Sequence, residues 1–432
     1  MNNFIILGNK GYNNIDLNDI IDIFNSNIRC NITIPNNNNG TKIYHYIFNV
    51  HLYENLIQKK MNKKEFIEGY KNICKEKDIE EFYNFFHKNK DKLNIIKQRN
   101  INYDNFLRKL GCSYSVNRSY MVASCGYNAI LDIIMSNIRP FVFGYGLSTR
   151  DRLSFYYKDV SLNTNAETRS PCHNEEEEIN ILKWLHYKYY IDATMCMLKD
   201  NELPTFDCSI IKPKQDVLLL FLQKYGIVIL ENFYPEQILN KIIYEYHRLF
   251  EEKSSLLTYT KGDDGEDGEP RLFNAEKYSD YILNFFSNNQ LFNNIASNYI
   301  KGNLTNKKTL INKVAYRDSQ KTNSGGGWHR DNHNMQFKTI MYLSDVTDKN
   351  GNFQFITNSS KKYIGYPKPR TENYNTRYSE DTIKDILKNN NNCKVHDIIG
   401  DKGTIIIVDT TNIHRGKDIL EGERYAITEY YI

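Results

Sequence analysis

The chain has 432 residues, of which 56 are lysine or arginine and 52 are aspartate or glutamate, so its formal net charge is only +4. Basic and acidic residues are interleaved, and this pattern argues against nucleic acid as a partner. No apolar run is long enough to cross a bilayer, which argues against membrane insertion. A chain of this length favours two domains over one.

The cysteine pattern and the N-terminus bear on the compartment. The eight cysteines are scattered without a C-x-x-C pair, as is typical of reduced thiols. The opening residues, "MNNFIILGNKG", lack the charged and hydrophobic regions of a signal peptide. These features predict a cytoplasmic protein.

The N-terminal half alternates short apolar runs, such as "FIIL" and "RPFVFGYG", with helical patterns. This alternation predicts an α/β domain over residues 1–200, built on a mostly parallel sheet of the Rossmann type. Residues 201–214, "NELPTFDCSIIKPK", contain prolines and show little periodicity. They are predicted to be a linker.

Several polar positions in this half follow predicted strands or open predicted helices. Gly8 and Asn9 come directly after the first strand, where a glycine lets a nucleotide approach the backbone and an amide can bind ribose or phosphate. Further on, "HNEEEE" places His173 five residues before Glu178. This motif fits a helix start with favourable acidic residues in its first turn, and it equally fits a catalytic histidine.

Taken in order, "GN", "RCN", "SCGYNAILDIIMSN", "FYYKD" and "HNEEEE" resemble the motifs of sialyltransferases. The resemblance implies that His173 is a general base acting on an acceptor hydroxyl. It also implies a nucleotide-sugar donor, with CMP-sialic acid as one candidate among several activated sugars. The implied pocket residues are Asn9, Asn31, Ser124 and Gly126, with Tyr156 and Tyr157 facing the leaving phosphate.

The C-terminal half, residues 215–432, reads first as a helix, a strand and a second helix. Strand-like runs then dominate, among them "NKVAYRDS", "FKTIMYLSDV", "GNFQFITNS", "GTIIIVDT" and "ERYAITEYYI". Short strands separated by turn signals predict a barrel or sandwich with helices packed outside.

The segment "WHRD" holds the main candidate site of this half. His329 and Asp331 can point to the same side because side chains in a strand alternate with a period of two. His414, at the end of a buried strand, can supply a third ligand, and two histidines with one carboxylate are the ligand set of non-haem iron. Arg424 could bind a carboxylate through two hydrogen bonds. His333 is a competing ligand by position, and Trp328 is interpreted as a packing residue.

These motifs, together with "YGIVILENFYPEQI" and "YLSDVTDKNGNFQFITNSSK", resemble the phytanoyl-CoA dioxygenase-like family of iron(II)- and 2-oxoglutarate-dependent oxygenases. The resemblance implies a double-stranded β-helix, or jelly roll, with flanking helices. It implies iron(II) held by His329, Asp331 and His414, and 2-oxoglutarate held at its distal carboxylate by Arg424. Halogenating relatives lack this carboxylate ligand, so that chloride can take its coordination position. Because Asp331 supplies the carboxylate here, the resemblance implies that Asp331 belongs to a catalytic site for hydroxylation.

The two halves together predict a bifunctional enzyme, a hydroxylase fused to a nucleotide-sugar glycosyltransferase. Its small-molecule cosubstrates would serve the modification of a protein or glycan acceptor. One alternative is an oxygenase with a non-catalytic N-terminal module that binds a glycan or nucleotide. Another is a structural protein with two degenerate sites.

Overall fold

The chain divides into two compact units, Met1–Glu202 and Leu203–Ile432. No helix in the part of the chain described here is long and apolar enough to cross a membrane. The computed structural model describes residues 4–8, 14–24, 26–30, 45–48, 50–71, 76–97, 103–115, 124–147, 175–261, 267–301, 304, 306–316, 326–331, 336–365 and 376–431.

The N-terminal unit is an α/β structure whose strands are short and mostly separated by helices. Its described strands are β1 (Phe4–Leu7), β2 (Ser26–Cys30), β3 (His45–Phe48), β4 (Asn94–Lys97) and β5 (Phe141–Phe143). Its described helices are α1 (Asn18–Ile21), α2 (Val50–Tyr53), α3 (Lys63–Tyr70), α4 (Glu76–Asn89), α5 (Asp104–Lys109), α6 (Cys125–Met135) and α7 (Glu175–Tyr187).

These strands form one sheet in the order β4-β3-β2-β1-β5, and all neighbouring pairs are parallel. The predicted parallel sheet is therefore confirmed. Strands β2, β3 and β4 follow one another on one side of β1, and β5 lies on its other side. The order in which strands are added to the sheet therefore reverses direction at β1. β1 is continuously apolar, as expected for a parallel strand covered on both faces.

An aromatic cluster forms one part of the core of this unit. Tyr46 and Phe48 of β3 pack with Phe66 of α3 and with Phe82 and Phe86 of α4. All five side chains are buried. Aromatic side chains bury large apolar areas, so this cluster is a main reason why α3 and α4 stay packed on the sheet.

The close approach of β1 and β5 yields a stability prediction. The Gly8 amide donates to the Phe143 carbonyl at 2.7 Å, and a Cβ at Gly8 would lie 2.4 Å from the Gly144 carbonyl oxygen. Backbone cannot move aside as a flexible side chain can, so Gly8→Ala is expected to destabilise the protein by about 1–3 kcal/mol. Thermal and urea unfolding of the full-length chain will measure this.

Gly69 in α3 is the matched control, because a Cβ there would meet nothing within 4 Å. Gly69→Ala is expected to stabilise the protein by about 0.5–1 kcal/mol, the usual gain on replacing a helical glycine. Equal stabilities for the two variants would contradict the tight β1–β5 contact.

The C-terminal unit contains most of the strands. They are β6 (Thr205–Asp207), β7 (Ile227–Glu231), β8 (Thr258–Lys261), β9 (Asp267–Phe273), β10 (Lys307–Ala315), β11 (Phe337–Tyr342), β12 (Phe353–Ile356), β13 (Val395–Ile398), β14 (Ile405–Asp409), β15 (His414–Gly416) and β16 (Glu423–Tyr431). The described helices are α8 (Gln215–Tyr225), α9 (Glu236–Glu252), α10 (Asp280–Ile282), α11 (Gln290–Ile300), α12 (Lys361–Ile364) and α13 (Glu380–Asn389).

The described strands of this unit form two sheets. The larger has eight strands in the order β6-β7-β14-β11-β16-β10-β9-β8, and the smaller has three in the order β13-β12-β15. A buried cluster joins residues of the larger sheet, such as Ile406 and Val408, to residues of the smaller sheet, such as Phe353 and Phe355. The core thus lies between the sheets, and the predicted barrel or sandwich is confirmed as a jelly-roll type of fold.

The start of the unit matches the predicted helix, strand and helix, which are α8, β7 and α9. Gly226 ends α8 in the left-handed conformation, with φ of 73°, and the chain enters β7 directly. The segment predicted as a linker contributes more than a connection. Its residues Thr205–Asp207 form β6, which pairs in parallel with β7, and Phe206 is fully buried. The interstrand pairing outweighs the two prolines in this segment.

Candidate metal centre

His329 and His414 are brought together by a short antiparallel bridge. The His329 amide donates to the His414 carbonyl at 3.0 Å, and the His414 amide donates to the His329 carbonyl at 2.9 Å. Residues opposite each other in such a pair point their side chains to the same side. The two imidazole centroids accordingly lie 4.4 Å apart.

Asp331 joins the two histidines from the same short segment. Its amide donates to the Thr410 carbonyl at 3.1 Å. Its Oδ1 lies 3.8 Å from Nε2 of His329, and its Oδ2 lies 3.5 Å from Nε2 of His414. The three side chains offer ligand atoms that all lie within 4.8 Å of one another.

Hydrogen bonds orient both imidazoles. Nδ1 of His329 lies 2.9 Å from the Gly327 carbonyl oxygen, and Nδ1 of His414 lies 2.9 Å from the Asn412 carbonyl oxygen. A carbonyl oxygen only accepts, so each Nδ1 carries the proton and donates. Each neutral ring therefore keeps its free lone pair on Nε2, the atom that faces Asp331.

The electrostatics of the site favour metal binding. Burial, together with the neighbouring His414, lowers the pKa of His329 to about 3. Burial also lowers the pKa of His414. Burial alone would raise the pKa of Asp331, but the Lys338 ammonium and the imidazoles outweigh it, so the carboxyl pKa lies below its usual range. At neutral pH the site presents two neutral imidazoles and one carboxylate.

Lys338, on β11, is a close partner of this site. Its ammonium lies 2.6 Å from Oδ2 of Asp331 and 4.5 Å from the centre of the Tyr430 ring. Burial would lower the pKa of Lys338, but Tyr430 and Asp331 outweigh it and raise it. The sequence analysis missed this residue. A signal was present, because Lys338 stands in the apolar run "FKTIMY", two residues before Ile340 and hence on the same face.

Arg424 lies near the start of β16, opposite Val314 of β10. It shares a strand face with Tyr430, six residues further along, and so faces the side on which Lys338 lies. One Nη donates to the Gly351 carbonyl. Its Nε is buried and has no hydrogen-bond partner among the described residues. A buried N–H donor without a described partner can bind an anionic ligand.

Two other candidate residues stand close to His329 in the sequence. Trp328 is buried in a cluster with Ile356, Tyr378 and Ile413, so its interpretation as a packing residue is confirmed. His333, the competing ligand, lies outside the described residues.

In the N-terminal unit, Ser124 and Gly126 have partners within the protein. The Ser124 amide and hydroxyl donate to the Glu178 carboxylate at 2.5 and 2.9 Å, and the serine oxygen caps α6. Gly126 packs against Tyr145, whose hydroxyl would lie 2.3 Å from an added Cβ. These contacts hold α6 in place, and the nucleotide-sugar pocket stays a prediction. The other predicted pocket residues lie outside the described part of the chain, namely Asn9, Asn31, Tyr156, Tyr157 and His173.

The match to a known protein family lies in the C-terminal unit. Residues 222–420 match the model of the phytanoyl-CoA dioxygenase (PhyH) family. The match confirms, for that unit, the resemblance inferred from its motifs. No family match supports the sialyltransferase resemblance of the N-terminal half. No curated protein matches the chain.

Similar solved structures cover about half of the chain. One is the epimerase SnoN in complex with Fe3+, alpha ketoglutarate and nogalamycin RO, with 13% identity, a TM-score of 0.40, and coverage of 50% of this chain and 83% of that one. Another is EctD from S. alaskensis with 2-oxoglutarate and 5-hydroxyectoine, with 13% identity, a TM-score of 0.39, and coverage of 50% and 74%.

Proposed function

We propose that the C-terminal unit is an iron(II)- and 2-oxoglutarate-dependent oxygenase that hydroxylates its substrate. The observation that carries the proposal is the cluster of His329, Asp331 and His414 within the PhyH-matching segment. Two neutral imidazoles and one carboxylate fit iron(II), and they leave positions on one face of the ion for other ligands.

The residues present also fit 2-oxoglutarate. Arg424 offers a guanidinium whose Nε is buried and has no partner among the described residues, on the strand face shared with Tyr430. A guanidinium can bind a carboxylate through two parallel hydrogen bonds. We assign the distal carboxylate of 2-oxoglutarate to Arg424.

Each part of the chain then has a defined task. When bound, iron(II) and 2-oxoglutarate supply the oxidising chemistry by which dioxygen converts a C–H bond to C–OH, with succinate and carbon dioxide as coproducts. The Gly327 and Asn412 carbonyls keep Nε2 of each histidine directed at the metal position. Arg424 orients the cosubstrate, and Asp331 fills the position that a halide would need. The apolar core between the sheets excludes water.

An anaerobic titration tests the proposal. Iron(II) and then 2-oxoglutarate are added to the full-length protein, and the visible charge-transfer absorption of the chelated ferrous complex is recorded. The band should appear only with both additions, and admission of air should release succinate. A folded protein that gives neither band nor succinate would overturn the assignment.

For the N-terminal unit we propose a nucleotide-sugar site at the carboxyl edge of the parallel sheet. The change of direction in the strand order at β1 favours it, because α/β sheets bind ligands outside such a point. CMP and UDP binding to the intact protein provides the test, and absence of binding by both would contradict it. In His173→Ala, lost sugar transfer with retained binding would support a glycosyltransferase, and unchanged behaviour would support a non-catalytic module.

A further inference from the structure

Lys338 occupies an unusual place for a lysine. Val408, directly opposite it on β14, belongs to the core between the sheets, so Lys338 faces inward. It is only 8% exposed. A buried ammonium is costly unless it is closely paired, and lysine is rarely buried without such a partner. Its carboxylate partner is the candidate metal ligand Asp331.

We propose that Lys338 is a positioning residue for the cosubstrate. It holds one oxygen of Asp331, so that this carboxylate binds iron through its other oxygen, and it offsets the negative charge that Asp331 presents to a dianion. This inference rests on the proposed oxygenase function and adds a residue outside the predicted ligand set.

The distances around Asp331 indicate which of its two oxygens can bind a metal. Oδ2 of Asp331 lies 2.6 Å from the ammonium, the separation of a close ion pair. A metal dication on that same oxygen would lie close to the ammonium and be repelled by it. Oδ1, 3.8 Å from Nε2 of His329, is the oxygen left for the metal.

The number of oxygens by which Asp331 binds the ion determines how many coordination positions remain for other ligands. In a six-coordinate ion, three protein ligands leave three positions, whereas an Asp331 bound through both oxygens would leave only two. Chelation by the keto acid needs two positions by itself. By engaging Oδ2, Lys338 keeps the third position open.

The positive charge of Lys338 also favours binding of the cosubstrate. The 2-oxoglutarate dianion must enter a site in which Asp331 already carries a negative charge. The ammonium at 2.6 Å makes the Asp331–Lys338 pair neutral, so the dication attracts the dianion without opposition from Asp331. The nearby cation Arg271 contributes less, because Glu269 lies 3.3 Å from it.

This role predicts opposite effects on the two ligands. The ammonium repels the dication and competes for Asp331, so Lys338→Met should bind iron(II) as tightly as the wild type or more tightly. The same variant should bind 2-oxoglutarate about tenfold more weakly or worse, since an attractive charge in a site of low polarity has been removed. A lysine that only supports the fold would weaken both affinities when removed.

The experiment uses the full-length protein without oxygen. Iron(II) affinity is measured first, and 2-oxoglutarate is then titrated into the iron-saturated protein while its charge-transfer absorption is followed. Wild type, Lys338→Met, Lys338→Gln and Lys338→Arg are compared. Lys313→Met is the control, because Lys313 is a strand lysine paired with Glu423 at 2.5 Å.

The expected result is weaker 2-oxoglutarate binding with undiminished iron affinity in Lys338→Met, partial recovery in Lys338→Arg, and no change in Lys313→Met. If Lys338→Met does not fold, Lys338→Gln carries the test, since it keeps polar N–H donors but lacks the charge. An unchanged 2-oxoglutarate affinity, or parallel losses of both affinities, would overturn the role of Lys338. Failure of the wild type to bind iron would instead overturn the proposed function, and this inference with it.

Discussion

Asp331→Ala is expected to lower the affinity for iron(II) by roughly 100-fold or more, since loss of residues that merely support a ligand already costs about 10- to 100-fold. Two changes act in the same direction. The variant loses one of the three proposed ligands, and it leaves the Lys338 ammonium unpaired beside the proposed metal position, where it repels a dication. Metal titration and succinate release measure the effect.

Asp381→Ala is a suitable control for this variant. Asp381 also pairs with a lysine, Lys384, at 3.1 Å, but it lies on the exposed surface of α13. Removing it should leave iron binding and succinate release unchanged. Iron affinity and succinate release at wild-type levels in Asp331→Ala would show that Asp331 is not a ligand.

Arg424→Met is expected to bind iron(II) normally but to bind 2-oxoglutarate roughly 100-fold more weakly or worse. Two hydrogen bonds to a charged carboxylate contribute about 3–6 kcal/mol together, and the methionine retains neither of them. Arg424 is not part of the cluster of His329, Asp331 and His414 proposed to hold iron(II), so the iron(II) affinity should not change. The charge-transfer absorption, titrated with 2-oxoglutarate at saturating iron, provides the measurement.

Two further variants make this test specific. Arg424→Lys keeps the charge but loses the planar pair of donors, so an intermediate affinity is expected. Arg248→Met is the control, because that guanidinium is held by Glu245 and Glu252 on α9. A normal 2-oxoglutarate affinity in Arg424→Met would place the distal carboxylate elsewhere.

The fold class of each half could be predicted from local sequence patterns. The apolar run of β1 belongs to a parallel sheet, as its alternation with helices predicted. The short strands of the C-terminal half form two packed sheets, as their turn signals predicted. The segment 201–214 was harder to predict. Local composition indicated a linker, whereas pairing with β7 makes Thr205–Asp207 a strand, and pairing with a distant strand leaves no local mark.

The candidate site shows the same limit. The period of two along a strand was sufficient to place His329 and Asp331 on one side, and a buried strand leading into His414 indicated a third partner. The sequence contained no means of telling which imidazole nitrogen is free. That depends on the Gly327 and Asn412 carbonyls, which bind Nδ1 only in the folded chain.

The sequence by itself determined the residue types of the candidate metal centre and the alternating patterns that make its strands, because both are properties of neighbouring residues. Only the tertiary structure decided that the lysine of β11 reaches Asp331, and that the hydroxyl and amide of Ser124 are bound by Glu178. Those contacts join segments far apart in the chain. Their geometry follows from strand register and core packing, which no single segment specifies.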